Sequence, residues 1–102
     1  MKKYTLSYLP LFDADFAAAW HYIAFTLKNP EAADRLMADT EKAILKRLES
    51  PESFEKYPSQ KERRHPYYRI RIRNFTVWYV VIGDMMEIRR FLYSKRDIEE
   101  QL

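Results

Sequence analysis

Three arginines alternate with apolar residues in a short segment of the second half of the chain. Arg69, Arg71 and Arg73 are separated by Ile70 and Ile72, so a β-strand would place the three cations on one face, about 7 Å apart. This spacing roughly matches the phosphates of a single nucleic-acid strand, and guanidinium groups have a permanent charge and donors that fit phosphate oxygens. Because the three would repel one another without an anion across them, they are candidate catalytic cations for phosphate chemistry. The alternative is that each covers apolar surface or pairs with an acid on a neighbouring strand.

Two further side chains are candidates for proton transfer, and a third, His21, is not. His65 lies in the basic run 63–66 and titrates near neutrality, so it could act as a base, although a loop histidine is more often a bystander. Tyr93 could donate a proton if nearby arginines lowered its pKa from the usual value of about 10, or it could be a half-buried strand aromatic. His21 stands beside Trp20 and is expected to be structural.

The composition excludes several classes of protein and site. The 102 residues fit one domain over 1–102, with 47% hydrophobic, 32% charged and 16% aromatic residues. No cysteine is present, so disulfides, thiolate metal ligands and a cysteine nucleophile are excluded. With only two histidines, far apart in sequence, we expect no metal and no cofactor. The longest apolar stretch, 77–82, is too short to cross a membrane and the start of the chain is a poor signal peptide, so we expect a cytoplasmic protein with no membrane partner.

The charge is concentrated in the second half of the chain. The net charge is +3, but residues 55–102 hold 11 Lys/Arg against 7 Asp/Glu, and residues 61–73 hold 6 Lys/Arg against one Glu. A dense basic stretch on a nearly neutral body indicates a polyanion or an acidic peptide as partner.

The first half of the chain is predicted to be a strand followed by two helices. Residues 2–9 alternate with period two and end at Pro10, which predicts a strand. Apolar residues then recur at helical spacing to Leu27, after Asp13 as a plausible N-cap. Asn29 and Pro30 are typical of a second helix start, and that helix is predicted to reach about residue 49. So short a break predicts an antiparallel hairpin.

The second half is predicted to be a long exposed loop followed by three strands. The loop covers 51–66, and the strands cover 67–73, 76–82 and 85–93. Asn74-Phe75 and Gly83-Asp84 are the predicted turns, and a turn of helix is possible in the polar tail. The fold class is therefore α+β, with a helical hairpin on one face of a mainly antiparallel four-stranded sheet. The other face would be partly open and would carry the arginines.

Segments at 4–7, 20–23, 29–33, 68–72, 75–81 and 90–97 follow one another along nearly the whole chain. This ordered set resembles the RelE/ParE superfamily, the toxins of bacterial type II toxin–antitoxin pairs. The resemblance implies the α+β fold above and a cognate antitoxin that wraps the toxin with an acidic or amphipathic segment. It also implies one of two activities. RelE-type members cut mRNA on the ribosome without a metal, by attack of the ribose 2′-OH on the adjacent phosphate, whereas ParE-type members act on DNA gyrase and are not nucleases.

Carried over by position, the basic strand residues of RelE-type toxins correspond to Arg69 and Arg71, and their C-terminal basic pair to Lys95 and Arg96. Two positions depart from that pattern: Thr76 replaces an arginine, and the chain has no C-terminal tyrosine or last-strand histidine. We predict a RelE-like mRNA endoribonuclease, and the alternatives are a ParE-like gyrase inhibitor or an inactive relative that only binds its antitoxin. The predicted catalytic set comprises Arg69, Arg71, Arg73, Tyr93, Lys95 and Arg96.

Overall fold

The computed structural model describes residues 2–58, 63–95 and 98–102. The elements follow one another as β1 (Thr5–Tyr8), α1 (Pro10–His21), a π-helical turn (Tyr22–Thr26), α2 (Pro30–Arg47), β2 (Tyr68–Ile72), β3 (Phe75–Ile82), β4 (Met85–Tyr93) and α3 (Ile98–Gln101). No helix in these ranges is long and apolar enough to cross a membrane.

The four strands form one mixed sheet in the order β1-β4-β3-β2. β3 is antiparallel to both of its neighbours, whereas β1 returns to pair in parallel with β4, from Thr5 beside Met85 to Tyr8 beside Ile88. Both helices of the hairpin pack on one face of this sheet. The predicted α+β fold, with its N-terminal strand and helical hairpin, is confirmed.

Helix α1 differs from its prediction at both ends. It begins at Pro10, three residues before the predicted N-cap Asp13, because proline is well suited to the first helical position, where its missing N–H costs nothing. Beyond His21 the chain widens into a π-helical turn, in which the Leu27 N–H donates to the Tyr22 carbonyl at 3.0 Å. The extra residue in this turn leaves Leu27, the last residue of the predicted apolar spacing, exposed to solvent.

Helix α2 follows its prediction closely. The Asn29 side chain accepts a hydrogen bond from the Ala32 N–H at 3.1 Å, and Pro30 occupies the first helical position. The helix buries a stripe that includes Ala33, Leu36 and Ile44, of which Leu36 and Ile44 pack in the core that the helices share with the sheet. A buried side chain of this kind contributes about 1.5–3 kcal/mol, so this stripe is what holds α2 on the sheet.

The sheet has a core on each face. The first core lies under the helices and contains Val77, Tyr79, Ile88 and Phe91. The second lies on the opposite face and contains Tyr67, Trp78, Val80 and Leu92, with Tyr57, Ile98 and Leu102 packed over it. The face that the sequence predicts to be partly open is therefore covered in part by the loop before β2 and by the C-terminal segment.

Candidate functional site

Two of the predicted catalytic residues lie together on the face of the sheet opposite the helices. Tyr68 and Ile70 are buried in the first core, so the alternation of β2 turns Arg69 and Arg71 to the other side. The Arg69 guanidinium is half-buried and lies 5.1 Å from the centre of the Tyr57 ring. Arg71 is exposed beside Thr76 of β3. Neither arginine has a carboxylate partner in the part of the chain that the structure describes.

Arg73 is not the third member of this row, which corrects the sequence prediction. Strand β2 ends at Ile72, and Arg73 lies in the two-residue turn to Phe75 with a φ of 54°. That turn takes its side chain to the helix side of the sheet, where it forms an ion pair with Asp39 of α2. The alternation of the strand stops where the turn begins, so the spacing of the three arginines in sequence does not carry over to space.

Of the remaining predicted site residues, Tyr93 lies apart from the two arginines. Tyr93 lies on the helix side of the sheet, where its ring meets Phe75 edge to face at 5.8 Å between centres. Lys95 is exposed after the end of β4, and Arg96 lies outside the described residues. The six predicted catalytic residues therefore do not form a single site. Of those described, the structure brings together Arg69 and Arg71.

A β-bulge in β4 determines where its two arginines lie. The pairing passes from Tyr79 beside Ile88 to Trp78 beside Arg90, so Arg89 is an extra residue in β4. Arg89 donates to the Glu87 carboxylate at 2.7 Å. This ion pair neutralises the charge of Arg89, which lies on the same face of the sheet as Arg69 and Arg71.

Arg90 is a structural clamp rather than a free cation. It holds the Asp15 carboxylate of α1 through two hydrogen bonds of 2.7 and 3.0 Å, and it donates to the Gln101 carbonyl at 2.8 Å. The Phe91 N–H also donates to Asp15, at 3.1 Å, where β1 no longer covers the edge of β4. The hydrogen bonds to Asp15 raise the pKa of Arg90, against the opposing effect of burial. Asp15 and Arg90 are 75 positions apart in sequence, and no local pattern indicates that they meet.

Arg47, at the end of α2, joins the helix to the far edge of the sheet. Its guanidinium donates to the Tyr79 hydroxyl at 2.9 Å and to the Arg69 carbonyl at 3.0 Å. The Tyr79 hydroxyl in turn donates to the Pro51 carbonyl at 2.7 Å, and the Phe54 ring lies 3.5 Å from the guanidinium carbon. Burial raises the pKa of Tyr79, while its hydrogen bond from Arg47 acts to lower it. This network fixes the loop after α2, and no pattern in the sequence predicts the network.

The two histidines stand apart from these groups. His21 stacks on Phe25 at 5.5 Å and meets Trp20 edge to face at 5.4 Å, a packing role. His65 is half-buried in the loop before β2. Within the described ranges, no group of three or more His, Cys, Asp or Glu side chains could hold a metal ion.

A groove on the helix side of the sheet was missed by the sequence analysis. It runs between α1 with its π-helical turn and the ends of β3 and β4, and encloses about 670 Å³. Apolar side chains line most of it, among them Ala18, Tyr22, Leu27, Phe75, Phe91 and Tyr93. The predicted helical stripe assigned Leu27 to the core, so only the widened turn reveals this surface.

Comparison with known proteins agrees with the fold. A family model described as "ParE toxin of type II toxin-antitoxin system, parDE" matches residues 6–98. A solved structure, "Chromosomal ParDE TA system from P. aeruginosa", superposes with a TM-score of 0.71 at 18% identity, over 90% of this chain and 97% of that chain. No curated protein sequence matches. The resemblance to the RelE/ParE superfamily is confirmed, and the chain belongs to the ParE toxin family of type II toxin–antitoxin systems.

Proposed function

We propose that this chain is the toxin of a ParDE-type pair and that it arrests growth by binding DNA gyrase, without nuclease activity. The observation that carries the proposal is the match of the ParE toxin family over residues 6–98. Members of the ParE type act on gyrase, as the resemblance described above implies. The family match therefore favours the alternative of the sequence analysis over its main prediction of mRNA cleavage.

The positions of the charged side chains also speak against a RelE-like nuclease. Metal-free cleavage needs a proton acceptor, cations and a proton donor around one phosphate. Arg69 and Arg71 lie on one face of the sheet, whereas Arg73 and Tyr93 lie on the other, and Arg73 already pairs with Asp39. One phosphate cannot contact both faces of a sheet. The distribution suits a protein that binds a partner better than one that cleaves RNA.

The test separates the two targets in cells and in vitro. We expect induced expression to cause DNA breaks and a DNA-damage response while translated transcripts stay intact. The purified protein should inhibit supercoiling by DNA gyrase and should leave mRNA on ribosomes uncut. Cut transcripts together with unaffected supercoiling would overturn the proposal.

A double variant, Arg69→Ala with Arg71→Ala, is the matched control for the nuclease alternative. If RNA cleavage arrests growth, the variant should lose transcript cleavage and growth arrest together. Expression of the wild-type chain with no effect on growth would instead favour an inactive relative that only binds its antitoxin.

A further inference from the structure

The face of the sheet opposite the helices presents a group of arginines. Arg69 and Arg71 project from this side of β2, the first half-buried and the second exposed. The Arg63 guanidinium lies 4.9 Å from the centre of the Tyr67 ring, which belongs to the core of the same face. We refer to Arg63, Arg69 and Arg71 as the arginine face. Its three charges are permanent at any physiological pH.

Few carboxylates offset the charge of this face. Neither Arg69 nor Arg71 forms an ion pair with any residue the structure describes. Glu87 lies beside the core of this face, but it already accepts from Arg89 at 2.7 Å, and its side chain is only 13% exposed. Glu55, in the loop before β2, is exposed and forms no ion pair within the described ranges. Because neighbouring cations on one strand repel each other, an anion that lies across them is attracted by both.

The fold holds Arg69 and Arg71 at a fixed distance from each other. All five residues of β2 are paired with β3, and the Arg69 carbonyl also accepts from Arg47 at 3.0 Å. The Arg69 guanidinium lies 5.1 Å from the centre of the Tyr57 ring, which limits its motion. Two positions along a strand span about 7 Å, comparable to the spacing of successive phosphates on one strand of nucleic acid. Cations held in place in this way lose little conformational freedom when they bind.

The aromatic rings of this face are poorly placed to stack on bases. Trp78 is 2% exposed and Tyr67 4%, and Arg69 lies against the Tyr57 ring. Proteins that hold single-stranded nucleic acid stack its bases on accessible aromatic rings, and these rings are covered. Contact with the phosphate backbone needs cations alone and carries no sequence information. The arrangement therefore suits the backbone of a duplex better than unpaired bases.

The charge of the rest of the chain directs a polyanion toward this face. Residues 1–54 hold 8 Asp/Glu against 7 Lys/Arg, whereas residues 55–102 hold 7 against 11. Exposed carboxylates of α2 include Glu31, Asp34, Asp39 and Glu41, on the side of the molecule away from the arginine face. Such a distribution repels a polyanion from the helices and attracts it to the opposite face of the sheet.

We propose that the arginine face binds the phosphate backbone of duplex DNA directly, without reading its sequence. Arg69 and Arg71 donate to successive phosphates of one strand, and Arg63 adds charge beside the same cluster of rings. The choice of duplex DNA as the polyanion rests on the proposed function, because an inhibitor of gyrase meets its target on DNA. The contact gives the toxin a higher affinity for gyrase engaged on DNA than for gyrase alone.

Arg69→Ala with Arg71→Ala tests the arginine face, and Arg35→Ala with Lys42→Ala is the matched control. Both variants lose two positive charges, but Arg35 and Lys42 are exposed on α2. The probe is a short fluorescent duplex of random sequence, titrated with the toxin and followed by anisotropy. At about 50 mM salt we expect wild type to bind with a dissociation constant of about 10⁻⁵ M, the β2 variant at least about 10-fold more weakly, and the control within about 2-fold of wild type. The slope of log affinity against log salt should fall by about 2 in the β2 variant alone.

Two further variants keep the inference testable if the alanine variant folds poorly by circular dichroism. Arg69→Lys with Arg71→Lys keeps both charges and should bind the duplex within about 3-fold of wild type. Arg71→Glu changes a single exposed residue and should weaken binding about 10-fold. Equal affinities of the β2 alanine variant and the α2 control, or an unchanged salt slope, would overturn the inference.

Other ligands of this face give different results. Single-stranded RNA that binds more tightly than the duplex would assign the face to RNA. Polyglutamate that displaces the duplex as well as unlabelled DNA does, at the same concentration of charge, would assign it to an acidic protein segment. Both results would overturn the inference. The titrations contain no gyrase, so they still report on the face if the gyrase proposal fails, and gyrase inhibition without duplex binding would overturn this inference alone.

Discussion

The arginines that reach the helices differ from the arginines of β2 in their partners. On the helix side, Arg73 has its own carboxylate in Asp39, while Arg90, beside Trp78 on the opposite face, reaches Asp15 of α1 at the sheet edge. On the opposite face, Arg69 and Arg71 have no carboxylate partner among the described residues. The arginines that meet a helix carboxylate thus help to hold the fold together, and Arg89 is neutralised by Glu87, whereas the two β2 arginines form no ion pair among the described residues. Arg71 and Arg73 are two positions apart, but they have different partners because the turn after β2 directs Arg73 to the helix side of the sheet.

The two cores also differ, because helices cover the first and a loop and the C-terminal segment cover the second. The largest expected effect on stability comes from comparing one residue of each core. Phe91 stacks on Phe75 at 4.8 Å and meets Phe16 at 5.2 Å, beneath two helices. Leu92, its neighbour on the other face, is covered by the loop and the C-terminal segment. We expect Phe91→Ala to lower the free energy of unfolding by about 4 kcal/mol and Leu92→Ala by about 2–3 kcal/mol. Urea titrations measure both, and a larger loss from Leu92→Ala would contradict the comparison.

The two ion pairs that join the sheet to the helices should differ in strength because they differ in burial. Asp15 and Arg90 are each 16% exposed, whereas Asp39 and Arg73 are about half exposed. Asp15→Ala leaves a largely buried guanidinium and the Phe91 N–H without their acceptor, which we expect to cost about 2–3 kcal/mol. Asp39→Ala should cost less than about 1 kcal/mol, because solvent screens that pair. Equal losses in denaturant titrations would show that the Asp15 clamp does not hold the fold.

The sequence predicts much of this fold because many of its signals are local. The Asn29-Pro30 start of α2, the Gly83-Asp84 turn and the bounds of β4 all follow from neighbouring residues. The π-helical turn does not follow, because apolar residues at helical spacing continue through Leu27. An ordinary helix and a widened one share that pattern.

The candidate site is less predictable because it depends on small shifts of register. One extra residue in β4, Arg89, changes which neighbours face which core. One turn residue, Arg73, moves from the predicted row to the opposite side of the sheet. The Asp15–Arg90 clamp joins elements that are distant in sequence. Residue types show where the cations lie in the sequence, but only the fold shows which of the described ones are paired.

The Tyr79 hydroxyl should make a smaller contribution to the free energy of unfolding, and that contribution should depend on pH. Tyr79→Phe removes the bond to the Pro51 carbonyl and the acceptor of Arg47, so we expect a loss of about 1–2 kcal/mol at pH 8. Burial raises the pKa of Tyr79, so the folded protein keeps the hydroxyl protonated where the unfolded chain ionises. That contribution is complete below about pH 10 and is lost as the pH rises further. The stability gap between wild type and Tyr79→Phe should therefore narrow by pH 11 in urea titrations, and a constant gap would contradict this.

The smallest expected effect concerns Arg69 and Arg71, which have no carboxylate partner among the described residues. Arg71→Ala removes an exposed cation that forms no ion pair with the described residues, so the free energy of unfolding should stay within about 0.5 kcal/mol of wild type. Arg69→Ala also loses the contact with the Tyr57 ring and should cost up to about 1 kcal/mol. Because the two cations repel each other, lowering the salt concentration should favour the Arg71→Ala variant over wild type. If Arg71→Ala lowered the free energy of unfolding by more than about 2 kcal/mol, this cation would also stabilise the fold. The contrast with the arginines that reach the helices would then disappear.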